Sequence, residues 1–118
     1  MESKEQLYSR IFKEIYQYKE LEISEGLIFY EIKDKIIYIN EMIARKDSKN
    51  FLFKAYFALR KIARKEKITT FRFCINIENN RRLVDIYENM GAELYGLKGN
   101  LRFYELKKKG DKDGWWRK

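Results

Sequence analysis

The chain contains no histidine and a single cysteine, Cys74. Ser-His-Asp, Cys-His and histidine-metal chemistries are thereby excluded. One cysteine can form neither an internal disulfide nor a multi-cysteine metal site, so no metal site is expected. Any acid or base must be Glu, Asp, Tyr, Lys, Cys or water. Two such groups stand at definite places in the local pattern. Tyr87 lies on the apolar face of a short helical segment opened by Asn79 and Asn80, and Glu41 is the carboxylate near the end of an apolar strand-like run. A third set is the cationic cluster Arg45, Lys46 and Lys49, whose side chains suit phosphate groups. Each group also has a plainer reading. Tyr87 can be core, Glu41 a solvated strand-end carboxylate, and Asn80 a helix cap.

The elements that must position these groups follow from periodicity. Leu83, Ile86, Tyr87 and Met90 recur at spacings of three and four and end at Gly91, which predicts a three-turn helix with a glycine stop. From Phe51 to Glu66, Leu52, Ala55, Tyr56, Leu59 and Ala63 repeat in the same way; Asp47, Ser48 or Asn50 is expected to cap that helix. Residues 3 to about 22 also read as helical, through a Leu7, Ile11, Ile15, Tyr18 stripe with Ser3 and Gln6 in capping-box positions. Strands are expected at about 27–32 and 35–43, joined at Asp34-Lys35, and at 68–77. A final hairpin of 92–98 and 101–107 turns at Gly99-Asn100. In the second strand Ile37, Ile39 and Glu41 are expected to share a face. Cys74, inside FRFCINI, is expected to be a small buried side chain.

A strand, an Asn, a short helix ending Tyr-Glu-x-x-Gly and a further strand resemble the C-terminal half of the GNAT acetyltransferase superfamily. Asn80, Tyr87, Glu88 and Gly91 stand at the matching places, with Ala92 where the family usually has Phe. The likeness runs from about Asn50 to about Leu106. It implies a compact α+β domain, a mixed sheet flanked by helices in the order α-β-β-α-β-α-β-β, with the acyl-CoA N-acyltransferase fold. It implies acetyl-CoA as cofactor and an amine, on a small molecule or a protein, as acceptor. By the same resemblance Tyr87 would protonate the departing thiolate and Glu41 would draw the proton from the amine. Met42, Ile43, Ala44, Arg45, Lys46, Lys49, Asn50, Phe51 and Asn80 would line the cofactor. The family's Gly-rich loop is missing: Asp47, Asn50 and Leu52 stand where Gln/Arg, Gly and Gly/Ala are usual. In this the chain also resembles small GNAT-like proteins of tailed phages, which implies an alternative, a catalytically inactive binding or structural protein on the same fold.

Length and charge bound the rest. At 118 residues, 45% of them apolar, the chain suits one domain over residues 1–107. No run approaches the roughly 20 apolar residues of a membrane helix. The N-terminus lacks a secretory pattern, so a cytoplasmic location is expected. Of the net +8, residues 107–118 carry six basic against two acidic side chains, a net of +4 and half the total. The remainder is only mildly basic, which disfavours nucleic acid as a partner. The tail from residue 108 is expected to be mobile. Trp115 and Trp116 within it are candidates for docking on a protein partner.

Overall fold

A computed structural model describes residues 2–45, 50–78 and 81–107. Expectations that fall on Lys46, Asp47, Ser48, Lys49, Asn79, Asn80 and the tail with Trp115 and Trp116 lie outside the described residues. The elements are α1 (Lys4–Glu14), β1 (Lys19–Ile23), β2 (Gly26–Lys33), β3 (Ile36–Ala44), α2 (Phe51–Glu66), β4 (Thr70–Asn76), α3 (Arg81–Asn89), β5 (Glu93–Lys98) and β6 (Leu101–Lys107). They form an α+β architecture, one six-stranded mixed sheet of order β1-β2-β3-β4-β6-β5 flanked by three helices. β3 and β4 run parallel and every other neighbouring pair is antiparallel. The parallel pair is joined through α2, as a crossover connection requires.

Most element bounds follow the periodicity. α2 spans the residues expected of it, and Ser3 and Gln6 close a capping box at α1. The Asp34-Lys35 turn has φ of 51° and 65°, the paired left-handed geometry that fits the twist of a tight hairpin. One element was misread. The first helix ends at Glu14, and the segment expected to continue it contains a strand, β1. Gln17 takes φ 59° and the Tyr18 amide turns back to the Phe12 carbonyl, which breaks the helix. Beyond it KELEI alternates charged and apolar residues, so pairing with β2 turns Leu21 and Ile23 to the core and leaves Glu20 and Glu22 outside. The order thus gains a strand between α1 and the first hairpin.

The two faces of the sheet are covered differently. α2 and α3 lie over a core of Ile28, Ile37, Ile39, Tyr56, Leu59, Phe71, Phe73, Ile75, Tyr87 and Tyr104. α1 covers the opposite face of β1 and β2 only, where Phe12 meets Phe29 with ring centres 4.8 Å apart. Beyond it, no helix among the described residues lies on the same face of β4, β6 and β5. Cys74 lies on this open face and is exposed, contrary to expectation. Its strand alternates as read, but no helix among the described residues covers the side of β4 that carries Arg72 and Cys74. Among the described residues no helix is long and apolar enough to cross a membrane.

Candidate active site

The site begins with an irregularity in β3. Phe29 of β2 lies opposite Glu41, but its neighbour Tyr30 lies opposite Ile39, so Asn40 is an extra residue. Such a bulge bends its strand and reverses the alternation of side chains beyond it. Asn40 is held by a 2.9 Å hydrogen bond from its amide to the Glu31 carboxylate. The parallel ladder between β3 and β4 runs from Ile36-Thr70 to Ile39-Phe73 and stops there, at the bulge. β4 continues along β6 to Asn76, and β3 continues along β2 to Ala44. The two strands therefore part into a wedge. One wall is the edge of Asn40–Ala44, the other the edge of Cys74–Asn76, and among the described residues neither backbone edge has a strand beside it there.

The bulge corrects the expected placement of Glu41. Met42 joins Ile37 and Ile39 on the core side, whereas Glu41, opposite Phe29, turns to the other face. It lies within electrostatic reach of Cys74 across the wedge and of Tyr18. Crowding by surrounding protein raises the Glu41 carboxyl above its ordinary value. The residue is nonetheless exposed to solvent, and a carboxylate raised in this way is a stronger base than one at its ordinary value.

Tyr87 stands on the helix side of the same wedge. Its ring packs on Phe73, the last β4 residue paired with β3, with centres 4.3 Å apart, and edge-on to Tyr56 at 5.7 Å. Only 4% of the residue is exposed. Burial pushes its phenol up to about 12, with the neighbouring Tyr56 hydroxyl pulling the other way. Tyr87 thus holds its proton at any working pH. Tyr87 is core, as its plainer reading has it, and it stands at the parting of β3 and β4. Tyr56, Phe73 and Cys74 complete the surroundings. Their periodicity placed them on elements, but nothing in the sequence marked them as neighbours of Tyr87 or Glu41.

The expected cofactor residues divide into four groups. Met42, Ile43 and Ala44 form the open wall of the wedge. Asn50 takes a left-handed backbone, φ 60°, and makes no side-chain cap, so no side chain of Asn50 occupies the first amides of α2. No acidic residue stands in that first turn. A helix start that takes no cap from its Asn50 side chain favours an anion. Phe51 packs on the core, its ring edge against Gly26. Arg45 is committed elsewhere. Its Nε and Nη2 donate to Glu5, Nη2 also to Glu22, and Nη1 to the carbonyls of Ile23 and Ser24. These contacts tie the end of β3 to α1 and β1 and leave no guanidinium donor for a phosphate. Lys46, Lys49 and Asn80 lie outside the described residues.

No protein-family model and no curated protein matches this sequence. Solved structures do match the fold. A PaiA N-acetyltransferase from Thermoplasma acidophilum, in complex with coenzyme A, superposes with a TM-score of 0.63 at 18% identity, over 89% of this chain and 71% of that one. A GNAT-family acetyltransferase from Listeria monocytogenes gives 0.58 at 13% identity, over 70% of this chain but only 57% of that one. The anti-CRISPR protein AcrVA5 gives 0.58 at 15% identity, over 74% of this chain and 95% of that one. At such identities the likeness concerns architecture alone. This chain has the fold of these GNAT acetyltransferases.

Proposed function

We propose that this protein is an N-acetyltransferase that moves the acetyl group of acetyl-CoA to an amine. The observation that carries the reading is the parting of β3 from β4 after Ile39 and Phe73. It opens a backbone edge on which an amide-containing arm can pair, and it separates a raised carboxylate from a protonated phenol on opposite faces. The chain fits the cofactor in two respects. The Asn40–Ala44 edge offers hydrogen-bond partners to the pantetheine amides, and the first turn of α2, which takes no cap from the Asn50 side chain, suits the diphosphate. Acetyl-CoA supplies an acyl group already activated as a thioester, so positioning accounts for much of the acceleration. Glu41 accepts the proton that the amine releases. Tyr87 holds the proton that a leaving thiolate takes up.

A second reading, a binding protein that keeps the fold without catalysis, is favoured by the two features that depart from an active site. Arg45 has no donor to spare, and Tyr87 is almost wholly covered. Titration calorimetry with acetyl-CoA and with CoA separates the two. The enzyme reading predicts saturable binding of both and acetylation of a test polyamine or peptide amine. Absence of heat and of any thermal shift at about millimolar ligand, a binding free energy weaker than about −4 kcal/mol, rules it out.

A further inference from the structure

β5 ends the sheet at one side, and its middle is apolar and uncovered. Leu94, Tyr95 and Leu97 are 46%, 51% and 64% exposed, on a strand whose outer backbone edge has no neighbour among the described residues. Edge strands are normally blunted by charges along their length. Here the charges stand only at the ends, as Glu93 and Lys98, and neither makes an ion pair among the described residues. The opposite edge, β1, carries Lys19, Glu20 and Glu22, with Ser9 of α1 bonded to Glu20.

A strand that pairs antiparallel with its own copy, about a two-fold axis normal to the sheet, joins residues that point to the same face. In an unbroken strand, residues an odd number of places apart point to opposite faces, so Leu94 could not meet Leu97. β5 is broken by its own bulge. Leu94 lies opposite Tyr104 and Gly96 opposite Phe103, so Tyr95 is extra. Leu94 and Leu97 consequently both point to the helix side, as do their partners Tyr104 and Arg102. Glu93 and Lys98 both point to the open side, with their partners Glu105 and Leu101. With the axis between Tyr95 and Gly96, Leu94 meets Leu97 of the second copy and Glu93 meets Lys98 of the second copy, each twice by symmetry.

We propose that β5 is a self-pairing edge through which two copies of this chain join their six-stranded sheets into one. The occupant is a second copy because this one register matches side-chain direction, apolar contact and charge sign together. A bulge ordinarily discourages edge pairing; here it is what makes the strand complementary to itself. Six residues a side cover less than the roughly 800 Å² per partner of a tight complex, so the dimer is weak, half-formed at about 10–100 µM.

Sedimentation equilibrium of the full chain, from about 5 to about 500 µM, tests this. The wild type is expected to dimerise across that range. Leu97→Lys is expected to sediment as a monomer with unchanged circular dichroism. Glu93→Lys and Lys98→Glu each place like charges opposite one another and weaken the dimer by about tenfold. The double reversal restores the pair and regains wild-type association. A wild type that stays monomeric throughout overturns the proposal. So does a dimer that ignores Leu97→Lys, or a double reversal that remains as dissociated as the single ones.

Discussion

Gly26 opens β2 opposite Ala44, the last residue of the wedge wall, and it touches Phe51, the first residue of α2. A Cβ added there would lie 2.1 Å from the Ile43 carbonyl oxygen and 2.7 Å from Phe51 Cε1. The phenyl ring can turn, but the carbonyl is fixed by its strand, so β2 must move away from β3. Gly26→Ala should therefore cost about 3 kcal/mol, the upper range for an added methyl in a packed site. Unfolding entropy of about 2.1 cal/mol/K per residue over 118 residues gives about 0.25 kcal/mol/K, so the melting temperature falls by about 12 °C. Differential scanning calorimetry reads the shift directly. Because the displaced groups border the candidate cofactor site, calorimetric affinity for acetyl-CoA should fall as well. A melting temperature within about 2 °C of wild type would show that β2 and β3 do not approach as described, and would refute the reasoning.

The other predictions concern the site chemistry. Tyr87→Phe should lower acetyl transfer by about 100-fold with little change in acetyl-CoA affinity, and steady-state kinetics with calorimetry would show whether it does. Since the Tyr87 phenol is pushed up to about 12, the wild-type rate should show no limb from its ionisation below about pH 10. Glu41→Gln should lower kcat/KM, and in the wild type kcat/KM should rise through an ionisation above the ordinary carboxylate range. Stability gives an independent check on Glu41. Its carboxyl is raised in the folded state, so ionisation destabilises the fold as pH climbs past the unfolded value. The melting temperature of Glu41→Gln should thus gain on wild type between about pH 4 and pH 8 and match it at lower pH. Cys74, exposed at the wedge but with its thiol raised by burial of its surroundings, should alkylate slowly with iodoacetamide, and more slowly still with acetyl-CoA bound.

Much of the fold was legible because local pattern and tertiary role agree. The α2 stripe, the Asp34-Lys35 turn and the Gly91 stop each follow from side chains acting within one turn or one hairpin. β1 was hidden because Leu21, three places after Tyr18, extends the helical stripe that begins at Leu7. Only the presence of β2 beside it decides for a strand. Cys74 was misjudged for a related reason, since alternation fixes its face but not whether anything covers that face. The site was less legible than the elements. Tyr87 and Glu41 could be nominated, but the Asn40 bulge that sets Glu41 on the far face arises from pairing with Phe29 and Tyr30. Arg45 looks like a phosphate ligand in sequence, and only the fold brings Glu5 and Glu22 to it. The partnership of Tyr56, Phe73 and Tyr87 joins α2, β4 and α3, a long-range contact that no spacing encodes.

The central claim is that the backbone edge of Asn40–Ala44 receives the pantetheine arm, and amide chemical shifts measure that edge directly. In two-dimensional nitrogen-proton spectra of the labelled protein titrated with coenzyme A, the largest shifts should fall on Asn40–Ala44, Cys74–Asn76 and the first turn of α2. Shifts confined to other strands, or none at about millimolar coenzyme A, would contradict the account.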